Sequence, residues 1–192
     1  MAPPSGPILD AGCGEGFSLG AMQKQFGVEA HGVDISVPAI DLAARRYRDC
    51  FFVVANADRF LPYADASFGL VTSITSRMNP DEFRRVLAAE GRLLVVLAGA
   101  DDLIELREAV LGEGKLIDRV ERTISMFSRH FVLEKHEHSR RVVHLDGEAI
   151  HDVMASSYRG LRASQRERLA ALAEMDVTLS RDALLFTSSR RS

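Results

Sequence analysis

The sequence predicts an α/β domain in which helices pack on a mainly parallel sheet. Two observations carry this expectation. The first half alternates short apolar runs with amphipathic stretches, the pattern left by strands joined through crossover helices. Glycine, proline and capping residues then punctuate the runs where strands and helices should begin and end. Pro7-Ile8-Leu9-Asp10-Ala11 reads as a buried strand ending in a glycine-rich turn, followed by a helix from about Phe17 to Phe26 that Gly27 closes. Glu29 to Asp34 is the next strand. Ser36 caps a second helix, with Pro38 in its first turn and Ala39, Ile40, Leu42 and Ala43 as its apolar stripe. Phe51 to Ala55 and Phe68 to Ile74 supply strands three and four. Asn79 or Asp81 starts a helix whose inward face includes Phe83, Val86 and Leu87, and Gly91 leads into Leu93 to Leu97, an apolar run suited to a central strand. Asp101 and Asp102 open a helix containing Leu103, Ile104, Leu106 and Val110.

The second half is less regular. Phe127 to Leu133 and Val142 to Leu145 are candidate strands flanking the polar stretch Glu134 to Arg141. Asp146-Gly147-Glu148 begins a helix through Met154, Arg162 to Met175 gives another with a Leu169 and Leu172 face, and Val177 to Thr187 returns as a final strand.

A chain of 192 residues fits one domain and can bury roughly 70% of the surface its unfolded form exposes. A cofactor-binding core over 1–114 and a C-terminal, acceptor-side part over 115–192 are the expected subdivisions. Cys13 and Cys50 have no neighbouring ligand or partner, so neither a zinc ribbon nor a disulfide framework is read, and a reducing, cytoplasmic setting follows. The first residues lack the basic and apolar regions of a signal peptide, and no run approaches the roughly 18 apolar residues of a membrane span, so a soluble protein with no membrane partner is expected. The net charge of −3 hides an asymmetry: residues 1–114 carry ten Lys/Arg against sixteen Asp/Glu, and 115–192 carry fourteen against eleven. An anionic partner would be sought in the second part, although a mixed solvated surface produces such imbalances often.

The chemistry is concentrated in Asp10-x-Gly12-x-Gly14-x-Gly16, between a strand and a helix, where glycines let the backbone pass close to a ligand. A second strand ends in Asp34 about twenty residues on, at the adjacent carboxyl edge, a position suited to ribose hydroxyls. The spacing G-x-G-x-G differs from the G-x-G-x-x-G that seats a pyrophosphate on a helix. A nucleoside with an amino-acid end and no phosphate fits better. Its carboxylate can meet free helix N–H groups and its ammonium an acid such as Asp10; S-adenosyl-L-methionine has this form.

Ile8-Leu9-Asp10-Ala11-Gly12-Cys13-Gly14-Glu15-Gly16 resembles motif I of the class I methyltransferases, and Gly32-Val33-Asp34-Ile35-Ser36 resembles motif II. Asn56-Ala57-Asp58-Arg59-Phe60-Leu61-Pro62-Tyr63 resembles the third element, an acid-Ala pair before Leu-Pro-Phe that reads adenine. Asn56 stands where the family usually has Asp and one residue is inserted before Leu61, so either Asn56 or Asp58 can accept from the adenine amino group. The resemblance implies a Rossmann-like fold with seven strands, mostly parallel with an antiparallel final hairpin, and helices on both faces. It implies S-adenosyl-L-methionine as cofactor and S-adenosylhomocysteine as product, with contacts from Asp10, Gly12, Cys13, Gly14, Gly16, Asp34, Ile35, Asn56, Ala57 and Asp58.

Glu82-Phe83-Arg84-Arg85-Val86-Leu87, Leu103-Ile104-Glu105-Leu106-Arg107, Leu145-Asp146-Gly147-Glu148-Ala149 and Met154 to Arg162 follow the order of RlmA-type enzymes, which methylate guanine N1 in large-subunit ribosomal RNA. That resemblance implies a ribosomal RNA acceptor. The family begins with a four-ligand zinc ribbon, whereas no Cys/His cluster precedes Pro7, so the chain is either a truncated piece or a divergent relative; a small-molecule acceptor stays open, as does a regulatory subunit that binds cofactor without turnover. No oligomeric interface is identified.

Several residues carry a plainer reading. Cys13 is expected as a small buried residue of the turn, without nucleophilic work. His136 and His138 lie in a charged stretch with no completing ligand, and no metal is expected. Arg129, Arg140, Arg141, Arg159 and Arg162 either hold RNA phosphates or coat a solvated surface. Methyl transfer is an in-line displacement at a sulfonium carbon, which asks the protein for alignment and exclusion of water rather than a nucleophile. The acceptor-side loop, Thr72 to Pro80, contains no carboxylate or histidine, and no catalytic base is assigned.

Overall fold

The computed structural model describes residues 3–157 and 160–189. The elements run β1 (Ile8–Ala11), α1 (Phe17–Phe26), β2 (Ala30–Asp34), α2 (Val37–Arg46), β3 (Phe51–Val54), β4 (Phe68–Ile74), α3 (Pro80–Val86), β5 (Leu87–Ala98), α4 (Ile104–Leu111), α5 (Val120–Phe127), β6 (Phe131–Asp146), α6 (Gly147–Ser157), α7 (Ala163–Ala170) and β7 (Glu174–Ser188). The strands form one seven-stranded sheet in the order β3-β2-β1-β4-β5-β7-β6. Pairings β3–β2, β2–β1, β1–β4 and β4–β5 are parallel, so the mainly parallel α/β expectation holds.

The chain divides into two compact units. The first comprises 1–97, 120–137 and 183–192; the second comprises 98–119 and 138–182. In the first unit, alternate strand residues feed two cores. Ile8, Ala30 and Leu70 pack with Leu19 of α1, while Leu9, Val33, Val71, Leu93 and Val95 pack with Phe83 of α3 and Phe127 of α5. Because successive strand side chains point to opposite faces, helices cover both faces of this part of the sheet. Phe83, Phe127, Phe131 and Phe186 are essentially inaccessible, and Phe127 meets each of the other three rings at centroid separations between 5.3 and 6.2 Å. In the second unit, Leu103, Leu106 and Val110 of the α4 region pack with Ile150, Met154, Leu169 and Val177.

Local signals explain the element ends. Ser36 Oγ accepts from the Ala39 N–H at 3.4 Å, with proline in the first turn of α2, and Asn79 Oδ1 likewise accepts from the Glu82 N–H at the start of α3. Gly27 and Gly112 adopt left-handed conformations that close α1 and α4.

Four expectations are corrected. Phe127 ends helix α5, which spans a segment where no element was expected, instead of opening a strand. Glu134 to Arg141 lies inside β6, one 16-residue strand rather than two. Exposed charged residues suit this edge strand and hide its periodicity. Leu87 starts β5 instead of ending the preceding helix, and Leu87 pairs with Phe68 ahead of an irregularity in the β4–β5 register. The helix expected over Arg162 to Met175 stops at Ala170, and Glu174 and Met175 belong to β7. In the Met154 to Arg162 segment, Tyr158 and Arg159 lie outside the described residues.

Candidate functional site

The strand order reverses between β1 and β4: β2 and β3 lie on one side of β1, and β4 and β5 on the other. In open α/β sheets the crevice outside the strand carboxyl ends at such a reversal is where ligands bind. The end of β1, the end of β2 and the loop after β4 therefore meet there.

Asp10 is the penultimate residue of β1, only 2% exposed. The parallel register sets it beside Thr72 of β4, whose hydroxyl donates to Asp10 Oδ1 at 2.7 Å. Burial pushes the Asp10 carboxyl up to about 6; the Thr72 bond opposes that rise and the nearby Asp34 charge adds to it. A buried acid with a single side-chain donor is short of a cationic partner.

The glycine turn is shaped by the backbone of β2. The N–H groups of Gly12 and Cys13 both donate to the Val33 carbonyl, at 2.7 and 3.0 Å, and the Gly16 N–H donates to the Cys13 carbonyl at 2.9 Å. Gly12 has φ +83° and its Cα faces the Ser76 hydroxyl so closely that an added Cβ would collide with it; Gly14, at φ +53°, would project a Cβ into open space. The first position thus needs glycine for conformation and for contact, the second for conformation alone. Gly16, also left-handed, starts α1 without a side-chain cap, which leaves first-turn N–H donors directed at the crevice.

Asp34 ends β2. Its Oδ2 accepts from the Gly14 N–H and its Oδ1 from the Ser36 N–H, each at 2.9 Å. The carboxylate therefore ties the motif I turn to the second strand while each oxygen keeps acceptor capacity. Ile35, next in sequence, is 69% exposed, an apolar side chain at the rim. Cys13 is 8% exposed and its thiol is pushed up to about 12, by burial first and then by the charges of Asp10 and Asp34. It stays a protonated thiol, matching the plain reading of a small buried turn residue.

Asn56 and Asp58 share one turn, with Asn56 Oδ1 accepting from the Asp58 N–H at 3.0 Å. Asp58 faces Arg77 at 3.3 Å, and its carbonyl accepts from Asn79 Nδ2 at 2.8 Å, so the loops after β3 and β4 are pinned together. Ala57 packs against the core. The following Leu61 is fully buried. Its N–H donates to Glu82 Oε2 at 2.7 Å and its carbonyl accepts from Arg85 Nη2 at 2.8 Å. The Arg85 bond holds the Glu82 carboxyl below the usual range, with the Leu61 N–H contributing.

The β1–β4 pairing and the loop after β4 bring Thr72 to Asp10 and Ser76 to Gly12, two donor-side contacts that the sequence did not reveal although both residues were expected in the acceptor-side loop. Thr72 carries no local signature, because its partner lies 62 positions away. Thr75 adopts φ +50°, rare for a β-branched residue, while its N–H donates to the Val96 carbonyl at 2.8 Å. Ser76, next to it, covers Gly12. Among the described residues no group of three His, Cys, Asp or Glu side chains is placed to hold a metal, and no helix is long and apolar enough to cross a membrane. His138 Nδ1 lies 3.0 Å from Asp182 Oδ1.

Residues 8–95 match the family described as Methyltransferase domain. The chain is 32% identical over 180 residues to the 23S rRNA (guanine(748)-N(1))-methyltransferase of Streptomyces fradiae, covering 90% of this chain and 64% of the relative. It is also 32% identical over 194 residues to YxjB of Bacillus subtilis (strain 168), provisionally named a 23S rRNA (guanine-N(1)-)-methyltransferase, covering 93% of this chain and 65% of the relative. The chain thus spans about two thirds of the length of these relatives. In fold, it matches the geranyl diphosphate C-methyltransferase of Streptomyces coelicolor A3(2), crystallised with Mg²⁺, geranyl diphosphate and S-adenosyl-L-homocysteine. That match has TM-score 0.61 and 18% identity and covers 98% of this chain and 74% of that one. Residues 8–95 are thus a methyltransferase domain, within a chain similar over most of its length to proteins named as methyltransferases.

Proposed function

We propose that this chain transfers a methyl group from S-adenosyl-L-methionine to guanine N1 of large-subunit ribosomal RNA, releasing S-adenosylhomocysteine and giving up the N1 proton to solvent. The observation that carries the donor half is the buried, cation-short Asp10 beside an uncapped helix start and the Asp34 carboxylate. The acceptor half rests on the two relatives named for that reaction, each matching at least 90% of this chain.

The residues fit the donor group by group. Asp10 would take the ammonium, replacing an uncompensated buried charge by an ion pair. The first-turn N–H groups of α1 would take the carboxylate. Asp34 would accept from the ribose hydroxyls with the lone pairs that Gly14 and Ser36 leave free. Ile35 would offer an apolar surface, and Asn56, Ala57 and Asp58 would border the adenine edge. When bound, the cofactor supplies a methyl group on a sulfonium, already activated for displacement. The protein's own task is to hold that group against the loop after β4 and to exclude water. Thr75 and Ser76, fixed against β5 and Gly12, set the floor of that loop.

The test is transfer of label from methyl-labelled S-adenosylmethionine to transcripts of 23S rRNA domains, with the modified base identified by mass spectrometry. Label at guanine N1 supports the reading. Transfer to a small molecule with none to RNA would move the acceptor to the small-molecule class, and cofactor binding without any transfer would favour a regulatory subunit. This reading places the chain in the cytoplasm with its RNA.

A further inference from the structure

The second unit contains a cavity of about 370 Å³ lined by Ser139, Arg140, Arg141, Leu179 and Arg181. Its volume is at the small end of ligand pockets, and three of its five lining residues are arginines. Two of the guanidinium groups are held from behind. Arg140 Nε donates to Asp101 Oδ2 at 2.7 Å, and Arg140 Nη2 donates to Thr178 Oγ1 at 3.2 Å. Arg181 Nη1 donates to Asp102 Oδ1 and to its neighbour's carbonyl, that of Ser180.

The acids behind the pocket are themselves committed. Asp101 Oδ1 accepts from the Ser180 hydroxyl at 2.6 Å and Asp102 Oδ1 from the Ser180 N–H at 2.9 Å. Glu105, close to Arg140, turns its two oxygens to the N–H and hydroxyl of Thr178. A guanidinium has five N–H donors, so Arg140 and Arg181 keep donors beyond those spent on anchoring. Arg141 stands exposed with no hydrogen bond or ion pair among the described residues. Fixed guanidinium groups, one uncommitted arginine and a serine hydroxyl around one cavity are the donor set that an oxyanion needs.

We infer that this cavity is a phosphate-binding site that grips one backbone phosphodiester of the RNA acceptor. The inference rests on the RNA reading proposed above and adds to it a particular anchoring point. Phosphate contacts position a nucleic acid without reading its sequence, so the site affects acceptor binding and leaves the methyl donor untouched.

The experiment compares wild type with Arg141→Gln and with the double variant Arg141→Gln/Arg181→Gln. The readouts are affinity for a 23S rRNA transcript at several salt concentrations, methyl-transfer kcat and KM with that transcript, and affinity for S-adenosylhomocysteine. Arg141→Gln should weaken RNA binding about three- to tenfold and lower the salt slope by about one. KM should rise while kcat at saturating RNA and S-adenosylhomocysteine affinity stay unchanged, and the double variant should weaken binding further. Because Arg141 is exposed, the single variant separates loss of contact from loss of fold.

Unchanged RNA affinity and salt slope in both variants, with a wild type that binds and methylates the transcript, would overturn the pocket and leave the RNA reading standing. A wild type that neither binds nor methylates RNA would overturn both. Competition by free inorganic phosphate at millimolar concentration with no RNA effect of the substitutions would also overturn the inference, by assigning the site to a small anion.

Discussion

Replacing Asp10 by asparagine should make the protein more stable and less able to bind its methyl donor. A carboxyl that titrates near 6 in the folded chain, against 3.8 when exposed, makes its ionised form about 3 kcal/mol more costly in the native state than in the unfolded one. The sign follows from proton binding. The folded state holds this proton more tightly, so its contribution favours folding at low pH, is lost as pH rises from about 3.8 towards 6, and is constant above that. The asparagine variant has no such proton, and its carbonyl oxygen can still accept from the Thr72 hydroxyl. Urea unfolding of both proteins between pH 4.5 and 8 should show the variant about 1 kcal/mol more stable at the acid end and about 3 kcal/mol more stable near pH 7. Using the difference cancels the opposite trend of carboxylates such as Glu82 and Asp101, which sit below their usual range. The same substitution removes the partner for the ligand's ammonium, so S-adenosylhomocysteine affinity should fall about ten- to a hundredfold. In wild type, affinity should itself fall below pH 6, by up to about tenfold per pH unit, as Asp10 takes up its proton. A variant no more stable than wild type at pH 7, or a difference that does not change with pH, would refute the assignment of an uncompensated charge to Asp10.

Thr72→Val removes the hydroxyl that holds down the Asp10 carboxyl. The acid limb of the ligand-affinity profile should therefore shift to higher pH, while stability at pH 7 falls by about 1–2 kcal/mol; an unmoved limb would contradict the pairing. Gly12→Ala places a Cβ against the Ser76 hydroxyl on a left-handed backbone and should cost about 2 kcal/mol, a fall of about 4–8 °C in melting temperature by calorimetry. Glu82→Gln weakens the bonds to the Leu61 N–H and Arg85. It should lower stability by about 1–2 kcal/mol at pH 7. That cost shrinks as pH drops below about 4.5, because the native contribution of Glu82 is lost as its own carboxylate is protonated.

Much of the donor side is legible in the sequence because the physics there is local. Ile8 to Asp34 carries a buried apolar strand, glycines at left-handed turns and a terminal glycine at Gly27, and the helix expected from Phe17 to Phe26 has those bounds in the structure. Asp34 could be read from its place at a strand end, although its bonds to Gly14 and Ser36 could not. The contacts of Thr72 with Asp10 and of Ser76 with Gly12 were invisible because each pair lies more than sixty residues apart, and only the β1–β4 register brings them together. In the second half, β6 escaped because an exposed edge strand rich in charge lacks a period-two apolar face. Helix α5 had a usable signal: Val120, Ile124 and Phe127 recur at helical spacing and pack into the core. Its final phenylalanine also resembles the start of a strand, and the adjoining Phe131-Val132-Leu133 drew the expected boundary four residues too early.

The most direct test of the account is calorimetric titration of the wild-type chain with S-adenosylhomocysteine at pH 7.5, beside Asp34→Ala. The account requires one site per chain in wild type and a loss of at least about fiftyfold in the variant, since two backbone anchors and the ribose acceptor go together. No binding by a folded wild type, or equal binding by both proteins, would contradict the placement of the methyl donor at the carboxyl edge of β1 and β2.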